Sequence, residues 1–390
     1  MTHVLTLNSG SSSIKFALYA NGGTPVEELR GQVEGLGATP RFALKTQDGT
    51  REERELSAEE GADHGAALQV ILARLEALRP DAQVTAIGHR VVHGGPDHSA
   101  PIVMDDAVIA DLEGLVLLAP LHQPANLAGI HAARAAFPSA VQVACFDTAF
   151  HRAQTWEADT YALPKALYDE GIRRYGFHGL SYEYVSGRLT EIAPELANGR
   201  VIIAHLGNGA SMCAVHDGHG VGSSMGFTAL DGLPMGTRCG QLDPGVVLYL
   251  MAEKGMSAEE IETLLYRESG LKGLSGLSHD MRTLEQADTE DARRAISYFV
   301  HRIKRELGGQ VALLGGLDAL VFCGGIGENA TAVRAGVCEG LDWAGIAIDP
   351  AANEEGRREL TAPGAATRVF VIRTDEEQMI ARHTVALLTG

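Results

Sequence analysis

Two arginines of this chain stand beside glycines: Arg90 in Gly88-His89-Arg90-Val91-Val92-His93-Gly94-Gly95, and Arg238 in Gly236-Thr237-Arg238-Cys239-Gly240. A guanidinium is a planar fork of N–H donors that suits a carboxylate or a phosphoryl group, and neighbouring glycines let such a ligand come close. Asp147 directly follows the apolar run Val141 to Phe146, the place for a carboxylate linked to a metal or orienting an arginine. His178, between Phe177 and Gly179, is placed to donate a hydrogen bond to developing charge. His122 sits in Ala119-Pro120-Leu121-His122-Gln123-Pro124, where two prolines make a rigid loop suited to a substrate contact. Each has a plainer reading alone, a surface ion pair for Arg90 and a structural ring for His122. His89 and His93 are four apart, as in a zinc helix, but the run reads as a strand and lacks the glutamate base, so a metal role is not favoured.

The elements that must position these groups are repeated. Val4 to Tyr19 is an apolar run, a turn of Asn8-Ser9-Gly10-Ser11-Ser12-Ser13, and a second apolar run ending at Asn21-Gly22. Val201 to Val215 repeats the plan around Gly207-Asn208-Gly209-Ala210-Ser211 and ends at Asp217-Gly218. Both read as hairpins whose small-residue turns let backbone N–H groups close on anionic oxygen, with serine hydroxyls as further donors. Elsewhere, helical spacing from Ala62 to Leu78, Asp105 to Leu118 and Ala292 to Leu314 alternates with strands at Val84 to His93, Val141 to Phe146, Ala319 to Cys323 and Val369 to Ile372. The pattern predicts an α/β protein with internal sheets. The acidic stretches Arg51 to Glu55 and Ser57 to Glu60 are expected as solvated helix faces or starts.

At 390 residues the chain exceeds what one core usually serves, so two domains are expected. A formal charge of −18 argues against a nucleic-acid partner. No apolar run reaches the roughly 18 to 20 residues of a membrane span, and the N-terminus lacks a basic flank and cleavage site, so a soluble, cytoplasmic enzyme is expected. Five dispersed cysteines without a Cys-x-x-Cys pair fit a reducing compartment. The Walker loop, the Rossmann fingerprint and the protein-kinase motifs are absent. The duplicated hairpins resemble the plan shared by actin, sugar kinases and Hsp70.

In this order the motifs resemble those of the acetokinase family, from Thr6 to Arg382. They include Asn8 to Ser13 with Lys15, His89 to Gly95, Ala119 to His122, Phe146 to His151, Arg174 to Gly179, His205 to Gly209, Met235 to Arg238, Gly325 to Asn329 and Thr374 to Glu377. The resemblance implies two duplicated actin-like (ribonuclease H-like) domains with a central cleft. The first is 1–147 with a terminal helix from residue 378 returning to it, and the second, for nucleotide and dimerisation, is 148–377. It implies a cytoplasmic homodimer converting ATP and acetate to ADP and acetyl phosphate with Mg²⁺ or Mn²⁺, acting on no nucleic acid or membrane. Carried over by position, Arg90 and Arg238 hold the carboxylate and the phosphoryl group. His178 stabilises the moving phosphoryl, with His122 close by and Asp147 as the catalytic acid. Asn8 and Glu376 match magnesium positions. Lys15, Ser11 and Ser13 match ATP contacts, as do His205, Leu206, Gly207, Asn208, Gly209, Asp280, Met281, Arg282, Gly325, Ile326, Gly327, Glu328 and Asn329. Val92, Leu121, Phe177 and Ala229 match the acyl pocket.

An acceptor carboxylate is already ionised at neutral pH, so no base has to remove a proton from it, and Asp147 is expected to orient Arg90 or a magnesium-bound water. Ala229 stands where the family usually has proline, a change that leaves room for an extra methylene and predicts activity on propionate. Asp231, Gln123 and Gln241 also depart from the family pattern. The alternatives are a propionate kinase of the same family and a non-kinase actin-like ATPase switch. The second would not need glycine-flanked arginines or cleft histidines.

Overall fold

The computed structural model describes residues 2–120 and 122–389, so Leu121 of the expected acyl pocket lies outside the described residues. The chain divides into two compact units, Met1–Arg152 with Asp375–Gly390, and Ala153–Thr374. Among the described residues, no helix is long and apolar enough to cross a membrane.

The first unit is built on β1 (Thr2–Gly10), β2 (Ser13–Asn21), β3 (Pro25–Glu34), β4 (Arg41–Thr46), β5 (Arg51–Glu55), β6 (Gln83–Val91), β7 (Ile102–Val103) and β8 (Val141–Phe146). They form one sheet in the order β5-β4-β3-β2-β1-β6-β8-β7. The side-chain period of two explains why β1 and β2 read as apolar throughout, since both faces are covered. Leu5, Leu7, Ile14, Phe16 and Leu18 pack with Leu68 and Ile71 of helix His64–Leu78 on one face. On the other, Val4 and Ala17 meet Val385 and Ala381 of the terminal helix Glu376–Thr389.

The second unit carries β9 (Arg200–Leu206), β10 (Ala210–His216), β11 (His219–Ser223), β12 (Ala319–Cys323) and β13 (Arg368–Val371), in the order β11-β10-β9-β12-β13. Its pairings repeat those of the first. An antiparallel hairpin, β1/β2 or β9/β10, is followed by a parallel neighbour, β6 or β12. A second parallel strand, β8 or β13, comes next. Helix Glu290–Leu314 buries Ala292, Ala295, Phe299, Ile303 and Leu307, an i, i+3, i+4 stripe, between a Thr289 N-cap and a left-handed Gly315.

The acidic stretches differ from expectation. Arg51–Glu55 is an edge strand paired to β4, and its charges suit an edge that must not recruit another strand. Glu52 pairs with Arg74 across 2.6 Å. Ser57 and Glu60 exchange reciprocal hydrogen bonds of 3.1 and 2.9 Å as in a helix cap, yet close only a turn. The helix starts later, capped by Asp63, whose carboxylate accepts from the Ala66 N–H at 2.9 Å. Gly324–Asn329, directly after β12, is a short helix.

Candidate active site

In the first unit the parallel pairing of β6 with β8 sets Arg90 beside Cys145 and brings Asp147, just beyond β8, under its guanidinium. Arg90 Nε donates to Asp147 Oδ1 at 3.0 Å and Nη2 to Oδ2 at 2.6 Å, a bidentate pair. Nη1 turns to Asn8 Oδ1 at 3.3 Å and Glu376 Oε2 at 3.5 Å. Burial alone would lower the arginine's pKa, but the carboxylates of Asp147 and Glu376 more than offset this and hold it above its ordinary value. Asn8, Arg90, Asp147 and Glu376 are thus one cluster.

Asn126, which sequence reasoning missed, ties this cluster to helix Gln123–Ala136. Its Oδ1 accepts from the Val92 N–H at 2.9 Å, and its Nδ2 donates to the Ser9 carbonyl at 2.6 Å. His122 is the residue before that helix, and its carbonyl accepts from the Asn126 N–H at 3.0 Å. No local sequence signal marks Asn126, because its partners Val92 and Ser9 are distant in the chain. The helix lies so close to β1 that a Cβ on Gly129 would come 2.2 Å from Ser9 Oγ. Gln123 donates to the carbonyls of His93 at 3.3 Å and Leu112 at 3.2 Å, so the departure from the family pattern is absorbed by backbone contacts. Ser11 lies in the two-residue turn between β1 and β2, Ser13 opens β2, and Lys15 is opposite Asn8 in the register. Lys15 also borders a cavity of about 370 Å³ with Arg30, Lys45 and Glu377.

The second unit gathers its own cluster around the β9/β10 turn. A Cβ on Gly209 would lie 3.2 Å from His178 Nε2 and 3.9 Å from Arg238 Nη1, so only glycine leaves the space between these groups open. His178 precedes helix Gly179–Ile192 in a left-handed conformation, φ 58°, rare for a side-chain-bearing residue and characteristic of functional positions. Its Nδ1 is 2.8 Å from Ser211 Oγ, and its ring stacks on His205 with centroids 4.2 Å apart. His205 Nδ1 meets Ser181 Oγ at 2.8 Å, which in turn meets Thr374 Oγ1 at 2.7 Å. Arg238 Nη1 donates to the Ala229 carbonyl at 3.0 Å, so Ala229 reaches this cluster through its backbone. Phe177 is buried beside His178 in sequence. Asp231 pairs with Arg174 at 3.2 Å, and Gln241 Oε1 accepts from Arg302 at 2.9 Å.

One cavity of about 740 Å³ in this unit brings together three separate stretches, Gly207 and Asn208, Asp280 to Arg282, and Gly325, Ile326 and Asn329. That volume is in the range of small-molecule sites. The Arg282 hydrogen bonds pull the Asp280 carboxyl down to about 2. Gly327 and Glu328 do not line this space. Gly327 is buried, and Glu328 Oε1 accepts from the N–H groups of Gly324 at 3.0 Å and Thr374 at 3.2 Å, fastening the short helix to the end of β13.

The sequence profile of the Acetokinase family matches residues 3–382. The chain belongs to the acetokinase family. An acetate kinase of Methylocella silvestris is 59% identical, with 99% of this chain and 98% of that protein covered. The crystal structure of Porphyromonas gingivalis acetate kinase superposes with a TM-score of 0.89 at 39% identity over the whole of both chains. That of a propionate kinase from Francisella tularensis subsp. tularensis gives 0.92 at 37%, covering 98% of this chain and 99% of that one. The fold is therefore the two-domain actin-like fold of these acetokinases, and the chain is a carboxylate-acceptor kinase with ATP and ADP as co-substrates.

Proposed function

We propose that the chain transfers the γ-phosphoryl group of ATP reversibly to acetate, giving acetyl phosphate and ADP. The bond from phosphorus to the β–γ bridging oxygen breaks and its electron pair leaves with ADP, while an acetate oxygen bonds to phosphorus. The observation that carries this reading is the placing of His178 Nε2 and Arg238 Nη1 within 4 Å of one point at the Gly209 turn. Gly207 of the same turn borders the large cavity of the second unit. A transferring phosphoryl group spreads charge over its equatorial oxygens, and such N–H donors, fixed beforehand, stabilise it. The adenosine and phosphate chain occupy the cavity between Asn208, Asp280 to Arg282 and Gly325. In the first unit Arg90, held by Asp147, binds the acceptor carboxylate, with Val92 toward its alkyl group and His122 near the reacting oxygens. Lys15, Ser11 and Ser13 meet nucleotide phosphates.

Asn8 and Glu376 offer an amide and a carboxylate oxygen to the same Arg90 nitrogen, a donor set that fits magnesium, which keeps most of its shell as water and phosphate oxygen. Bound there, Mg²⁺ would neutralise phosphate charge. Four of the five cysteines are buried, and the compartment in which the enzyme works is a reducing cytoplasm. The chain works as a homodimer.

Trapping acyl phosphate with hydroxylamine, in the presence of ATP, magnesium and a carboxylate, tests the reading. Acetyl hydroxamate is expected, with none formed from glycerol or glucose. Because Ala229 has only a methyl group, propionate is expected to react at an appreciable fraction of the acetate rate, and kcat/KM for acetate, propionate and butyrate measures it.

A further inference from the structure

His178 is backed by a hydroxyl chain that the proposed transfer does not by itself require. Tyr182 is in the first turn of the helix that His178 precedes, with its N–H bonded to the His178 carbonyl at 3.0 Å. The two side chains converge on Ser211 of β10, two residues after Gly209. Ser211 Oγ is 2.8 Å from His178 Nδ1 and is also bonded to the Tyr182 hydroxyl. Ser211 and Tyr182 have no solvent exposure. In the β9/β10 register Ser211 lies directly opposite His205, the residue whose ring stacks on His178, so strand pairing brings both of the imidazole's contacts side by side.

The order of donors in this chain follows from acidity. A phenol is a stronger acid than an alcohol, so Tyr182 O–H donates to Ser211, and Ser211 passes its single proton to His178 Nδ1. Burial pushes the tyrosine pKa well up, so the phenol remains a donor. An imidazole nitrogen that accepts a hydrogen bond carries no proton, and the proton of the neutral ring then resides on the other nitrogen. That nitrogen is Nε2, the atom nearest the Gly209 site.

We propose that Ser211 and Tyr182 are positioning residues that hold His178 as the neutral tautomer with its proton on Nε2, so that this N–H is aimed at the phosphoryl position. The catalytic consequence rests on the acetate kinase reading; the tautomer does not. ¹⁵N NMR of the ring nitrogens in the full-length protein, assigned by the signals lost in His178→Asn, is expected to show Nε2–H. Ser211→Ala is expected to populate the Nδ1–H form and to lower kcat about 10 to 100-fold, the scale for residues that orient a functional histidine, with KM for ATP and acetate within about twofold. Ser211→Thr, which keeps the hydroxyl, is expected to restore kcat, and Tyr182→Phe to fall between. Nδ1–H in the wild-type protein overturns the proposal, as does a folded Ser211→Ala with wild-type kcat. Should Ser211→Ala fail to fold, the wild-type tautomer and Ser211→Thr still decide it. A correct tautomer in a protein that forms no acyl phosphate would instead refute the proposed function.

Discussion

The guanidinium of Arg90 gives two nitrogens to Asp147 and turns the third toward Asn8 and Glu376. Asp147 is 1% exposed, so the pair is kept by fixed geometry and by the charge that each supplies to the other. An asparagine at 147 retains the shape but has one acceptor oxygen and no charge, so it cannot hold both N–H groups. Asp147→Asn is therefore expected to lower kcat/KM about 100-fold, on the scale of a lost charge-assisted contact, without adding an acidic limb to the pH–rate profile. Rescue of the variant by raising pH would show proton transfer instead. His89, next in sequence, makes a different prediction. It is buried against Gln142 Oε1 at 2.7 Å, and burial pushes its pKa down to about 4. An unfolded histidine titrates near pH 6.5, so between about 6.5 and 4 the unfolded chain holds the extra proton. Stability is full above that window and declines as pH falls through it. Calorimetric melting from pH 7 to 4.5 is expected to show a shallower decline in His89→Gln than in the wild type, and parallel curves would remove His89 from the effect.

At the scale of elements, the two hairpins do the positioning, and glycine separates their demands. Gly209 faces side-chain nitrogens, whereas Gly129 faces Ser9 on a packed strand. Gly209→Ala is expected to melt near the wild-type temperature while losing most activity, because its methyl intrudes beside His178 Nε2. Gly129→Ala forces the helix off β1 and is expected to cost about 1 to 3 kcal/mol, read as a drop of several degrees in Tm. A Gly209→Ala enzyme with full kcat would exclude the turn from the phosphoryl site. The contrast also shows what was legible in the chain. Strands buried on both faces, Val141–Phe146 and Ala319–Cys323, announce themselves as unbroken apolar runs. The mixed strands β3 and β4 do not, and the charged edge strand Arg51–Glu55 has the composition of a solvated helix, so only its partner strand distinguishes the two. The glycine-flanked Arg90 and the residue after β8 were readable as site residues from local context. Asn126 was not, because its function lies in bonds to Ser9 and Val92, which are distant in sequence. The hydroxyls behind His178 were hidden for the same reason.

Helix Pro244–Lys254 carries the argument to the whole molecule. It has an Asp243 N-cap accepting from the Gly245 N–H at 2.8 Å and a left-handed Gly255 as its stop, so its ends are well defined. Yet none of its residues is buried, and Val246, Leu248, Tyr249 and Met251 are all exposed. An eleven-residue helix is marginal without packing, and one that is apolar all round belongs in an interior. The proposed homodimer accounts for this face, with a second copy of the chain as its cover. Charge agrees with this. A net −18 repels like molecules, whereas this helix bears one acid and one base, Glu253 and Lys254, so repulsion is weakest where the apolar surface is greatest. Sedimentation velocity is expected to give twice the chain mass for the wild type, and the chain mass for the double variant Leu248→Glu, Met251→Glu, with the far-UV circular dichroism retained. A folded double variant that still sediments as a dimer would place the contact elsewhere, since two buried carboxylates cannot be accommodated in an apolar interface without partners.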